Sequence, residues 1–528
     1  MIQSNVAPNG MVVTPHHLAS SSALAILRQG GNALEAMVAA AATIAVVYPH
    51  MNGLGGDGFW LIIPPTGDPI AIDASGAAGS LATVDKYHPQ ATIPFRGPQA
   101  ALTVAGTVSG WQLALDYAQE HFPTSLPLST LLADAIHYAE LGIPVTASQA
   151  DATSSKAAEL SDLPGFSDIY YPNNRAPLAG ERLRQPDLAG SLKILAKEGL
   201  ESFYRGTLGE KIATGMEQLG MPITAQDLSE HRARYKTPLK VEHSCGTVYN
   251  LAPPTQGLVS LAILGILDRF DLAKCDEIQT IHRIVEATKI AFSLRDQHIT
   301  DPKDIDVDLQ QLLAASHLDS LGQQLDTEQA AAWGEPLLPG DTVWMGVTDQ
   351  FGYSVSFIQS IYHEFGSGVV IPKTGILWQN RGAAFSLETG HPRCLAPRKY
   401  PFHTLNPAAA KLKDGRTLVY GSMGGDGQPQ TQATLFTRYV QQNHPLQTAI
   451  SAPRWLLGRT WGNASDSLKL EGRFSEETYQ GLRTLGHRTE RLAPWSEAVG
   501  HAGAIVRHPN GLVEGASDPR SNGSAAGY

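Results

Sequence analysis

The sequence predicts a mixed α/β (α+β) fold in which helices are layered on antiparallel sheets, and three observations lead there. A glycine-rich loop at 52–58 follows a helical pattern and precedes an apolar strand, the reverse of the order in a doubly wound parallel sheet. Two strand-like runs, 343–347 and 353–360, are separated by Asp349-Gln350-Phe351-Gly352, which suits a hairpin and so antiparallel pairing. The chain of 528 residues is 42% hydrophobic and 17% charged, with no low-complexity linker or charge block, so one large compact unit is expected.

Taken in order, the first expected elements are a helix from Ser20 to Arg28, ended by Gly30-Gly31, and an Ala-rich helix from Leu34 to about Val47. The loop Asn52-Gly53-Leu54-Gly55-Gly56-Asp57-Gly58 leads into strands at 59–63 and 70–72. The region 110–330 reads as mostly helical, with Leu/Ala-rich segments near 130–140, 190–197, 257–268 and 279–295. After Pro339 strands dominate: 343–347, 353–360, 375–378 and 417–420, before a helix at about 431–441. No internal repeat is present.

Composition excludes several function classes. A net charge of −11 provides no basic stripe for nucleic acid or anionic lipid, so neither nucleic acid nor membrane is an expected partner. An anionic substrate would need a local cation. The three cysteines, Cys245, Cys275 and Cys394, have no CxxC spacing and read as reduced thiols. The start of the chain lacks a basic, then apolar, secretory pattern, and 36–47 is too short to span a bilayer, so a cytoplasmic location is expected. His16-His17 and the other histidines show no ligand spacing, so neither metal nor cofactor is expected.

Chemistry enters at Thr342, which opens a strand directly after Pro336-Leu337-Leu338-Pro339-Gly340-Asp341. A cut between Asp341 and Thr342 would give a residue that carries hydroxyl and amine on adjacent carbons, a nucleophile with its own base. A free α-amine titrates at about 7.7–8.0, suitable near neutral pH. Threonine is also common at strand starts for its β-branched shape alone. Gly53, Gly55 and Gly58 satisfy G-x-G-x-x-G, but in the wrong structural order for a dinucleotide, and a tight turn is the better reading. The second cluster, Gly421-Ser422-Met423-Gly424-Gly425-Asp426-Gly427-Gln428, lies between a strand and a helix, where Gly424 and Gly425 could aim N–H groups at an oxyanion or simply make a turn.

Four separated pieces, Thr342–Asp349, Phe365–Val370, Thr374–Asn380 and Gly421–Gly425, stand in the order and spacing of the γ-glutamyltranspeptidase family, which the chain resembles almost throughout. Gly515–Ser521 with the ending Ala526-Gly527-Tyr528 resembles that family's closing motif, and Gly53–Gly58 its N-terminal glycine loop. The resemblance implies an N-terminal-nucleophile hydrolase with a four-layer αββα sandwich, made as a precursor that cuts itself between Asp341 and Thr342. The large chain would be 1–341 and the small chain 342–528, held together as a heterodimer. Thr342 falls on the catalytic threonine, and Gly424 and Gly425 on the glycine pair of the oxyanion hole.

Departures from the transpeptidase pattern narrow the substrate. Val343 and Trp344 follow the nucleophile where the family usually has Thr or Ser and then His, while Ser360 keeps the hydroxyl that assists the nucleophile. Tyr362 replaces a substrate-side asparagine and would share a face with Ser360 if the strand extends that far. The arginine that clamps a glutamyl α-carboxylate is Ser75 here, the aspartate that holds the α-ammonium is Ala384, and the paired serines are His403 and Thr404. A new cation, Arg381, follows Asn380, and its planar fork suits a carboxylate. A small anionic amide without an ammonium would therefore be the substrate, with Arg381, Tyr362, Asn380, His403 and Thr404 around it. The alternatives are a γ-glutamyl hydrolase or transferase, or a related acylase, with a rearranged pocket, and an inactive ligand-binding relative.

Overall fold

Residues alternate between two environments along each central strand, and that alternation builds the molecule. The computed structural model describes residues 3–333, 340–458 and 465–528. The loop Pro336–Pro339 ahead of Thr342 lies outside the described residues. In chain order the strands of two large sheets are β1 (Asn5–Ala7), β2 (Met11–Thr14), β3 (Asp57–Ile63), β4 (Ile70–Ala74), β5 (Arg234–Lys236), β6 (Leu239–His243), β7 (Gly246–Asn250), β8 (Asp341–Thr348), β9 (Ser354–Tyr362), β10 (Ala408–Leu412), β11 (Thr417–Ser422), β12 (Ala502–Arg507), β13 (Val513–Ser517) and β14 (Ser524–Gly527). One sheet has the order β1-β13-β12-β11-β10-β7-β6 and the other β14-β2-β8-β9-β3-β4-β5. Every pairing within them is antiparallel.

Phe59, Leu61 and Ile63 of β3, Trp344 of β8 and Ile358 of β9 meet Ala409, Val419, Ile505 and Val513 in the layer between the sheets. The intervening Trp60, Ile62, Val343, Met345, Val347 and Phe357 point the other way, into a core shared with helices. Those helices include α1 (His17–Arg28), α2 (Ala33–Val47) and α3 (Thr107–His121). The outer face of the other sheet is covered by α4 (Gly257–Leu267), α5 (Glu277–His298) and α6 (Gly427–Phe436). The expected αββα layering is thus the architecture found. All fifteen residues of α2 are buried, which its run of alanines permits, and Asn32 and Glu35 close its N-terminus as a capping box. No described helix is long and apolar enough to cross a membrane.

The hairpin joining β8 to β9 turns where expected, because Asp349 Oδ1 accepts from the N–H groups of Phe351 (2.9 Å) and Tyr353 (3.0 Å) and Gly352 takes φ +89. Three expectations are corrected. The region read as mostly helical also contains β5, β6 and β7; in β6 and β7 buried residues alternate with exposed or half-buried ones, so the apolar signal is at most every second residue, and the three residues of β5 are too few to show one. The segment 375–378 contributes just Ile376–Leu377, paired with Val370–Ile371 outside the large sheets. The helix expected at 431–441 begins earlier, at Gly427, directly after the second glycine cluster.

Candidate active site

β8 runs through the Asp341–Thr342 bond, and the sheet is irregular there. Asp341 pairs with Tyr362 and Val343 with Gln359, so Ser360 and Ile361 of β9 both lie opposite Thr342. Such a bulge re-aims side chains. Ser360 Oγ accepts from Tyr362 N at 2.8 Å, and Tyr362 takes φ +82, a conformation costly for a bulky residue. β9 does reach Tyr362, but this local turn interrupts the strand alternation expected of Ser360 and Tyr362. Thr342 is buried, and Gln428 Nε2, from the first turn of α6, donates to its Oγ1 at 3.2 Å. That bond uses a lone pair of Oγ1 and leaves the hydroxyl proton for a base.

Gly424 and Gly425 form the turn between β11 and α6, with φ +116 and +53. Side chains would strain both conformations, and a Cβ on Gly425 would lie 2.9 Å from Gly340 N. The chain just ahead of Thr342 therefore packs against the glycine pair on one side. On the other, a Cβ on Gly340 would lie 2.9 Å from the Tyr362 ring. The Gly425 carbonyl is held by Gln256 Nε2 at 3.0 Å, and the same amide nitrogen donates to Thr404 O at 2.9 Å. The closing motif braces this loop from behind. Arg454, ion-paired with Asp518 at 2.5 Å, donates to Val499 O at 3.1 Å, and the adjoining Gly500 packs against Met423 and Gly424.

Arg381 stands at the start of a short 3₁₀ turn, 1% exposed, with its guanidinium carbon 3.7 Å from the Tyr362 ring centroid. Its Nε and Nη1 have no hydrogen-bond partner among the described residues. Burial lowers its pKa to about 10, partly offset by Tyr362, Asp57 and Asp426, so it stays cationic at neutral pH. His403 is fully buried, edge-on to Phe59 and 3.4 Å from Asp57 Oδ2, with its pKa pushed well below the usual histidine value by burial and then by Arg381. Thr404 Oγ1 is buried without a hydrogen-bond partner among the described residues. The Asn380 amide is used on both sides, accepting from His363 N at 3.1 Å and donating to Phe95 O at 2.9 Å, so it shapes the turn that carries Arg381.

Together these residues supply a buried threonine hydroxyl at the bulge of β8, a glycine pair beside the chain that precedes it, and a buried cation, without an ion-pair partner among the described residues, facing a tyrosine. The Gamma-glutamyltranspeptidase family profile matches residues 19–528. The chain belongs to the γ-glutamyltranspeptidase family. It is 68% identical, over all of both chains, to the oxamate amidohydrolase proenzyme of Klebsiella pneumoniae, and 39% identical, again over all of both, to the glutathione hydrolase-like YwrD proenzyme of Bacillus subtilis. The crystal structure of cephalosporin acylase from Bacillus halodurans superposes with a TM-score of 0.91 at 33% identity, covering 100% of this chain and 97% of that one.

Within this γ-glutamyltranspeptidase frame, Ser75 is occupied with Asp73 Oδ1, at 2.5 Å, and Ala384 is buried beside the Arg381 turn. The dinucleotide-like glycines serve close packing: side chains at Gly55 and Gly56 would collide with the carbonyls of Leu377 and Ser360. Sequence reasoning missed Asp57, Gln428 and Gln256 as site residues. Asp57 and Gln428 lay inside the two glycine motifs it quoted, but nothing local distinguishes a buried polar residue there from a turn-former. It also missed the proximity of His282, Glu286 and His487, whose ligand-type atoms lie within 4.8 Å of one another. These groups are already paired: His282 Nδ1 with His487 Nε2 at 2.8 Å, and Glu286 with Lys289 Nζ at 2.7 Å.

Proposed function

We propose that this chain is the precursor of an N-terminal-threonine amidohydrolase that converts oxamate and water to oxalate and ammonia. The observation that carries the substrate reading is Arg381, a buried guanidinium with two unpartnered N–H positions and no carboxylate in ion-pair contact among the described residues. The 68% identity to a protein named for that activity supports it. In the first stage Thr342 Oγ1 attacks the Asp341 carbonyl, the acyl group passes from nitrogen to oxygen, and water cuts the ester. This frees the Thr342 amine and removes the Gly340-Asp341 end from between Tyr362 and Gly425. The amine then takes the Oγ1 proton as the oxygen attacks the amide carbon of oxamate. Gly424 and Gly425 N–H groups hold the oxyanion, Ser360 and Gln428 orient the nucleophile, and the amine returns the proton to departing ammonia. Arg381, with Tyr362, His403 and Thr404 around it and Asn380 fixing its turn, holds the carboxylate. Water then opens the oxalyl ester, and oxalate leaves.

The two pieces, 1–341 and 342–528, would stay together as a heterodimer, because β8, β9 and β14 of the second share a sheet with β2, β3, β4 and β5 of the first. A cytoplasmic location and a place in uric acid breakdown belong to the same reading on resemblance alone. Likeness to glutathione hydrolases and an acylase keeps γ-glutamyl transfer or acylase chemistry as the second reading. The test is intact mass followed by ammonia release on one sample. Pieces of about 36 and 20 kDa, in proportion to length, with ammonia from oxamate, are expected, and Thr342→Ala should stay whole and inert. Processing in Thr342→Ala would remove the threonine from its role. Glutamate release from a γ-glutamyl anilide would favour the second reading, and a processed chain that binds without turnover would mark an inactive relative.

A further inference from the structure

One buried acid has no part in that chemistry. Asp57 opens β3 in register with Ser360, on the side of the strand that Phe59 turns toward the space between the sheets. Its Oδ1 accepts from the N–H groups of Gly76 and Gly106, each at 3.0 Å, whereas Oδ2 has no hydrogen bond among the described residues and lies 3.4 Å from His403 Nε2. Neither ring nitrogen of His403 has a hydrogen-bond partner among the described residues either. Arg381 acts electrostatically on both groups without an ion pair to either among the described residues. The other titratable groups that feel this cluster are the phenols of Tyr204 and Tyr400, kept protonated by burial, and, around Arg381, Tyr362 and the Asp426 that pairs with Arg295 at 2.9 Å. After processing, the Thr342 amine joins them.

Charge balance then decides what entry of an anion does. Arg381 cationic with Asp57 ionised is neutral as a pair. A substrate carboxylate drawn to Arg381 leaves one anion in excess in a buried site, and an uncompensated buried charge is costly. A proton relieves it. We propose that Asp57 is a specificity-determining residue that takes up a proton from solvent when a monoanionic substrate docks on Arg381, becoming a neutral acid whose Oδ2–H is shared with His403 Nε2. This rests on the amidohydrolase reading above. Burial holds the Asp57 pKa up to about 7 even against Arg381, a hydrogen bond from the Gln379 side chain and the Gly76 and Gly106 N–H groups, so the proton is exchangeable near neutrality. The neutral imidazole of His403 is the acceptor this arrangement requires.

The experiment is ammonia release from oxamate by processed wild type and Asp57→Asn between pH 6 and 9. In the wild type KM rises up to tenfold per pH unit above about 7 while kcat does not follow it, as one linked proton requires. In Asp57→Asn the KM is flat over the same range, and Asp57→Glu restores the slope. A flat wild-type KM, or an unchanged slope in the asparagine variant, overturns the proposal. Where the asparagine variant fails to process, infrared difference spectra of the wild type with saturating oxalate, its binding checked by product inhibition, read the same event. A protonated carboxyl band gained at pH 8 supports the proposal, and its absence overturns it. A wild type that releases no ammonia would instead remove the oxamate reading itself.

Discussion

Two demands on Arg381 pull in opposite directions. In the proposed role of ligand for an anion it must keep its N–H groups free, and as a buried side chain it is destabilising for that same reason. The cation–π contact with Tyr362, worth about 2 kcal/mol or more when desolvated, returns only part of a burial cost of several kcal/mol. Replacing Arg381 with methionine, which keeps most of the length and none of the charge, separates the two. The variant should raise KM for oxamate at least tenfold, since a lost charge-assisted contact is worth about 1.5–3 kcal/mol, and should melt at a higher temperature than wild type. Unchanged KM removes Arg381 from the substrate, and a lower melting temperature shows that the guanidinium is better satisfied than its geometry indicates. Arg381 was legible in the sequence because it departs from a motif. Asp57 was not, because its importance arises from His403, nearly 350 residues away in the chain, and no local pattern encodes that meeting.

At the scale of elements, β8 is shaped as much by Trp344 as by Thr342. The indole lies in the layer between the sheets, donating from Nε1 to Ser356 Oγ at 3.0 Å, and its ring fills space left by Gly346, Gly421 and Gly503 on its own and facing strands. A Cβ at Gly421 would overlap the indole Cδ1, and one at Gly346 would lie 2.8 Å from Cη2. Gly421→Ala should therefore cost about 1–3 kcal/mol by overpacking. Denaturant unfolding measures it, and the same alanine placed in a Trp344→Leu background should cost much less. Equal penalties in both backgrounds would mean the indole is not what fills the space. The replacement of the family's usual residue by Trp344 was visible in the sequence, but its three-glycine socket was not, since those glycines come from β8, β11 and β12. The same distinction holds more widely. α1, α2, α4 and α5 were legible from helical periodicity, and β8 and β9 from alternation around a good turn. The strands β6, β7, β10 and β12–β14 were not singled out, being short and dependent on sheet neighbours distant in sequence.

For the whole molecule, the balance of buried titratable groups sets a pH limit. His16, His50, His231 and His487 are pushed down to about 3 and His501 to about 4, in each case mainly by burial, so all five are neutral in the fold at pH 5. Unfolded, each would be charged below about 6.5 and bind a proton the native state refuses, so stability falls as pH drops through that range. Asp57, at about 7, and Asp349, at about 6, act in the opposite sense. Their folded pKa values exceed the unfolded value of 3.8, so acid relieves a penalty that they impose at higher pH. His403, His243, His282 and His444 are lowered as well, while Glu35, Asp426 and Glu497 join the raised carboxyls, so the histidines outnumber the acids that oppose them and unfolding near pH 5 takes up protons. The melting temperature should therefore drop steeply between pH 6 and 4.5, and calorimetry at closely spaced pH values would follow it. In Asp57→Asn, which removes one of the opposing groups, the drop should be steeper still, while above pH 7 the variant should be the more stable protein. A melting temperature level from pH 6 to 4.5 would mean that these histidines reach solvent in the native state, and the closed core between helices and sheets would need to be redrawn around them.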